Sequence, residues 1–127
     1  MDLKEIVMGL INTVIDDADA YRRALQTQRT VFMLFVSPQC PACGAAKPLF
    51  SKVASRYRRQ AALYVLDTTQ TPRHPDVTGT PTLLILKNGR LVETLKGFGP
   101  WETQEQTLKK TFERHTRGVP TKRARPR

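Results

Sequence analysis

The sequence predicts an α/β domain in which one central mixed sheet of four to five strands carries helices on both faces. Three observations lead there. "TVFMLFVS" and "ALYVLD" are short, nearly continuous apolar runs separated by a helical stretch, the pattern of parallel strands covered on both sides. "PTLLIL" and "RLVETLKG" flank Asn88-Gly89, a pair that readily takes the positive φ angles of a two-residue hairpin turn. A closing segment from Trp101 to His115 has helical character. A parallel β-α-β unit followed by a hairpin and a helix makes a mixed sheet with helices packed on it.

In chain order, Leu3, Ile6, Val7, Leu10, Ile11 and Val14 fall at the spacing of one apolar helix face, so a helix is expected over residues 2–14. "LINTVI" offers a short first strand instead. Asp16 or Asp17 can cap a second helix, "ADAYRRALQTQ", by accepting hydrogen bonds from its free N–H groups. After the first buried strand, a helix is expected from Pro41 to Arg59 with Leu49, Phe50, Val53 and Tyr57 inward. Pro48 should kink it, since proline lacks an N–H and its ring crowds the preceding turn. "TTQTPRHPDVTG" is turn-rich and should hold little helix. Gly99-Pro100 leads into the last helix, with Trp101 expected to pack at its start.

A chain of 127 residues is long enough for one ordinary core. Its natural division is an N-terminal extension over 1–15, a domain over 16–116 and a basic, disordered tail over 117–127. With 39% hydrophobic and 25% charged residues it is neither fibrous nor disordered throughout. Its apolar runs fall well short of the ~20 residues of a membrane span. The acids at Asp2 and Glu5 and the lack of a small-residue cleavage site argue against a signal peptide, so the cytoplasm is the expected compartment, with no membrane contact. The net charge of +10 accumulates after Lys47 and peaks in "GVPTKRARPR". That tail is suited to weak electrostatic contact with an acidic protein or nucleic acid, but without interleaved aromatics it lacks the means to stack on bases.

The chemistry-bearing stretch is "FVSPQCPACGAAKP", which holds both cysteines of the chain, Cys40 and Cys43. Taken by themselves they could be a redox pair, half of a zinc site shared between chains, or two small packed side chains. A complete zinc site needs more ligands, and no second Cys or His pair stands at ligand spacing. No metal or cofactor is therefore expected. In a reducing compartment such a pair is more often catalytic or metal-binding than a structural staple. Two intervening residues at the first turn of a helix let the sulfurs reach disulfide distance. Cys40, at the helix N-terminus, would face free N–H groups and the positive end of the macrodipole, which favour its thiolate over the free-cysteine pKa of about 8.5. Cys43, one turn in, should be more buried. Pro41 suits the first helical position, where its missing N–H costs little.

From Asp16 to His115 the chain resembles thioredoxin. Cys-Pro-Ala-Cys follows a buried strand and opens a helix, Pro48 lies five residues past the second cysteine, "GTPTLLILKNG" matches the cis-proline loop and hairpin, and Gly97 falls where the last strand ends. The resemblance implies the thioredoxin fold and a thiol-disulfide oxidoreductase of the protein-disulfide reductase type, with Cys40 and Cys43 catalytic. It implies a cis Thr80-Pro81 peptide facing Cys40, with the Thr80 backbone, Pro81, Gln39 and Pro41 contacting substrate by strand addition. Implied partners are disulfide-containing proteins and a reductase or small-thiol reductant, the protein acting as a monomer. The second class of function is a thioredoxin-fold adaptor whose tail recruits a partner. The Cys-Pro-x-Cys centre is more like that of glutaredoxin, and the expected potential lies between about −270 and −180 mV, the span of thioredoxin, glutaredoxin and disulfide isomerase values.

The chain also departs from the family. Leu34 and Leu63 stand where thioredoxin has a buried aspartate and a lysine thought to assist proton transfer at the second cysteine; Gln39 replaces a tryptophan and Gly44 a basic residue. His74, between prolines, and Arg56, Arg58 and Arg59, at a helix end, are expected to be solvated surface, and His115 to sit favourably in a last helical turn.

Overall fold

The computed structural model describes residues 13–15, 18–69, 71 and 74–118. Its elements are β1 (Thr13–Ile15), α1 (Ala18–Gln26), β2 (Thr30–Val36), α2 (Pro41–Ala54), β3 (Ala62–Asp67), β4 (Thr82–Lys87), β5 (Arg90–Lys96) and α3 (Gln104–Thr116), with single 3-10 turns at Ser55–Tyr57 and Trp101–Thr103. The five strands form one sheet in the order β1-β3-β2-β4-β5. β3 runs parallel to β1 and β2, whereas β4 is antiparallel to β2 and β5.

Strand periodicity divides the core between the faces of this sheet. From β2, Phe32, Leu34 and Val36 join Phe50 and Val53 of α2 and Leu108 and Phe112 of α3 in one buried cluster. Val31, Met33 and Phe35 point the other way and meet Tyr21 and Ala24 of α1. All seven residues of β2 are buried, which is why its sequence is apolar without alternation. On the α2/α3 face, Phe112 stacks at 4.0 Å on Phe32 and at 5.0 Å on Tyr57, joining the last helix to the sheet and to the 3-10 turn that follows α2.

Several expectations change. Residues 13–15 form the short strand that "LINTVI" offered as the alternative to a helix, with Thr13, Val14 and Ile15 paired to Tyr64, Val65 and Leu66; β-branched residues gain from such pairing. The remainder of the proposed helix, the capping by Asp16 or Asp17, and the basic tail beyond Gly118 lie outside the described residues. The α-helix of α2 runs through Pro48 but stops at Ala54, where the chain tightens into the 3-10 turn, a common way for a helix to end. Trp101 does not pack: it is 70% exposed, while Phe98 just before it is buried.

The hairpin holds as expected, with Asn88 at φ 54° and Gly89 at φ 79°. A Cβ on Gly89 would also stand 3.3 Å from the carbonyl oxygen of Leu25. Beyond the turn the register slips at Ile85/Leu86, so that Val92 is an extra residue in β5 and Thr82 lies opposite Lys96. This bulge decides which residue reaches the end of the sheet beside the site.

Candidate active site

β2 delivers the chain to the site. After Val36 a tight turn closes with the Cys40 N–H donating to the Ser37 carbonyl at 3.2 Å. Cys40 is the N-cap of α2, with extended backbone (φ −104°, ψ 104°), and Pro41 occupies the first helical turn. The Cys43 N–H donates to Cys40 Sγ at 3.1 Å and to the Cys40 carbonyl at the same distance. The Cys40 sulfur thus takes the place that a serine or aspartate oxygen fills in an ordinary N-cap. A negative charge on that sulfur meets a backbone donor and the positive end of the helix dipole.

The two cysteines are joined as a disulfide, their Cα atoms 5.3 Å apart, within the span such a bond requires. They are not equivalent. Cys43 is 3% exposed and belongs to the cluster under α2, whereas Cys40 is half-buried at its margin. Gln39 and Pro41, on either side of Cys40, are exposed. No acid lies in the first turn of α2, so nothing there opposes a thiolate.

Leu34 and Leu63 are buried in the same cluster as Cys43. The interior behind the second cysteine is therefore hydrocarbon, with neither of the two ionisable side chains that thioredoxin places at these points. An apolar setting of this kind disfavours charge.

The other wall of the site comes from the loop before β4. The Thr80–Pro81 peptide is cis, and both residues are half-buried. Thr82 is the register partner of Phe35, so the proline loop and the Cys40 turn leave the sheet at the same end of its two central strands. The Thr82 hydroxyl donates to the Gly79 carbonyl at 2.7 Å, and the Gly97 N–H donates to the Pro81 carbonyl at 2.9 Å. Gly97 takes φ 81° to do so, a conformation that favours glycine.

An open depression of about 200 Å³ lies here, lined by residues 78–82 with Lys96 and Gly97. Sequence reasoning singles out Thr80, Pro81 and Gly97 but not Lys96. Counting back from Asn88-Gly89 in an unbroken hairpin sets Leu95 opposite Thr82; only the bulge brings Lys96 there. Among the described residues no group of three or more His, Cys, Asp or Glu could hold a metal ion, and no helix is long and apolar enough to cross a membrane.

The two histidines stand apart from this chemistry. His74 is half-buried in its loop and its Nδ1 accepts the Asp76 N–H at 3.1 Å. His115 is more than a favourable helix terminus: it is 9% exposed, and its Nε2 lies 2.6 Å from Glu93 of β5. Arg56, Arg58 and Arg59 are exposed, as expected.

Comparison with known proteins gives a consistent result. The family model described as Thioredoxin matches residues 12–112. Thioredoxin 1 of Synechococcus elongatus is 28% identical over 103 residues, covering 79% of this chain and 96% of the relative. Porphyra purpurea thioredoxin is 27% identical over 99 residues, 76% of this chain and 92% of its own. Among solved structures, the thioredoxin of Malassezia sympodialis superposes with a TM-score of 0.72 at 20% identity, covering 83% of this chain and 90% of that one. A mutant thioredoxin from Halobacterium salinarum gives 0.70 at 22% identity, covering 87% and 96%. At those identities the structures speak for the fold.

Proposed function

The chain belongs to the thioredoxin family and is a thiol-disulfide oxidoreductase, and from that premise we propose that it reduces protein disulfides with Cys40 as the attacking sulfur and Cys43 as the resolving one. The observation that carries this division of labour is the Cys43 N–H held 3.1 Å from Cys40 Sγ at the start of α2. The sulfur that is half-exposed is also the one supplied with a donor for its charged form; the buried one is in hydrocarbon. Thiolate is the reactive species in exchange.

The reaction balances in two displacements. The Cys40 thiolate attacks one sulfur of the substrate disulfide, forming a mixed disulfide and expelling the other substrate sulfur as a thiolate. Cys43 then loses its proton and attacks Cys40 Sγ, closing the Cys40–Cys43 disulfide and releasing the second substrate thiol. The substrate gains two electrons and the protein dithiol loses them; protons from solvent complete the products. The Cys40–Cys43 disulfide of the structure is the product of this half-cycle, and a reductase or small-thiol reductant returns it to the dithiol.

For binding, we assign the Thr80 backbone to an added strand of substrate, with Pro81, Gln39 and Pro41 bordering the attacked sulfur. An extended segment can pair with main-chain groups at a sheet end while alternate side chains enter depressions. The 200 Å³ hollow next to Thr80 and Pro81 has room for such a side chain. The adaptor alternative is not favoured, because the dithiol pair is intact and geometrically able to cycle.

The test is trapping. Cys43→Ser should accumulate a mixed disulfide on Cys40 with a disulfide protein such as insulin, visible by mass and released by dithiothreitol. Cys40→Ser should lose disulfide reduction by at least about 100-fold, since the remaining sulfur is buried. Equal turnover by the Cys40→Ser variant and wild type would refute the assignment.

A further inference from the structure

Of the seven residues that line the hollow beside Thr80 and Pro81, Lys96 alone carries a charge. Its position is well determined. It ends β5 opposite Thr82, and the next residue, Gly97, is tied to the Pro81 carbonyl at 2.9 Å. Lys52 and Lys109, by contrast, are both engaged with Glu105. Among the described residues no carboxylate pairs with the Lys96 ammonium, and the side chain is exposed. The hollow thus offers threonine, glycine and proline walls with one uncommitted cation at the rim.

We propose that Lys96 is a specificity-determining residue that directs the site to disulfides carrying a carboxylate side chain next to the attacked cysteine. The inference rests on the reductase reading of the site. Its size supports a side chain and not a whole small molecule: about 200 Å³ is below the ~300–1,000 Å³ of small-molecule pockets. A substrate strand paired to the Thr80 backbone would send alternate side chains toward the sheet end where Lys96 stands. An aspartate or glutamate there meets an unpaired ammonium, whereas a lysine or arginine meets like charge, and selectivity comes from the difference between the two. The exchange chemistry is unchanged; only the choice of substrate is biased.

The experiment uses three synthetic peptides with the same intramolecular disulfide, bearing Glu, Gln or Lys beside the attacked cysteine. kcat/KM is measured for each at low and high salt. Wild type should favour the Glu peptide over the Lys peptide by about two- to fivefold at low salt, the range of exposed charge pairs, and less at high salt. Lys96→Glu should invert the ratio, and Lys96→Gln should bring it near one. Lys110→Glu, the same charge change on an exposed residue of α3, should leave the ratio at the wild-type value. An unchanged ratio in Lys96→Glu, or an equal effect from Lys110→Glu, would overturn the proposal and credit the overall charge of the protein instead. Failure of wild type to reduce even the Gln peptide would count against the reductase reading itself.

Discussion

Cys40 stands where a helix cap stands. Its sulfur accepts the Cys43 N–H, so the group that the proposed mechanism needs charged is the group a helix start favours as an anion. The pair and its spacing are readable from "CPAC" because two intervening residues at a helical turn leave little else for the sulfurs to meet. The consequence of Leu34 is less easily read. Leu34 is fully buried, and Leu63, the natural place for a countercharge, is another hydrocarbon in the same cluster. Restoring only the acid, as Leu34→Asp, should therefore produce an unpaired buried carboxylate. We expect a loss of about 3–5 kcal/mol at pH 7. Burial would raise the folded pKa of that aspartate above its unfolded value, so the penalty should grow with pH and shrink on acidification. Urea unfolding at pH 7 and pH 5 checks this; an equal loss at both would show that the new carboxyl is not buried in its charged form.

The elements are legible in proportion to how strongly their own residues specify them. β2 and β3 announce themselves as apolar runs, and the β4–β5 turn by Asn88-Gly89. The bulge at Val92 does not, because no residue of "RLVETLK" marks by its own propensity where the register slips. One result of the shifted register is that Glu93 faces the last helix. It accepts hydrogen bonds from Arg114 Nη2 at 2.9 Å and pairs with His115 Nε2 at 2.6 Å. Burial pushes the Glu93 carboxyl up, but hydrogen bonds from Arg114 and His115, together with their charges, outweigh it and hold the carboxyl below its usual value. A depressed folded pKa stabilises the fold above the unfolded value and ceases to do so as pH falls through the folded one. Glu93→Gln should thus cost about 1–3 kcal/mol at neutral pH, with the gap to wild type closing below about pH 4. Chemical denaturation across that range is the check, and a gap independent of pH would remove the ion pairs from the account.

On the scale of the molecule, one mixed sheet separates two cores and brings two loops to a common end. The β2–α2 turn carries Cys40; the loop before β4 carries the cis Thr80–Pro81 peptide. Topology of this kind can be inferred from element order, since a β-α-β unit and a hairpin can bury their apolar faces by joining one sheet, here through the β2–β4 pairing. Side-chain placement across elements cannot: exposed Trp101, buried His115 and Lys96 in the hollow all depend on register and helix docking. The proposed chemistry depends on an inequality between two sulfurs that are adjacent in space. Its most direct measurement is the rate of iodoacetamide alkylation of the reduced protein across pH, with each cysteine followed by mass spectrometry. Cys40 should react first, with a midpoint below the ~8.5 of free cysteine, and Cys43 only slowly. Equal rates at the two sites, both titrating as free cysteine, would contradict it.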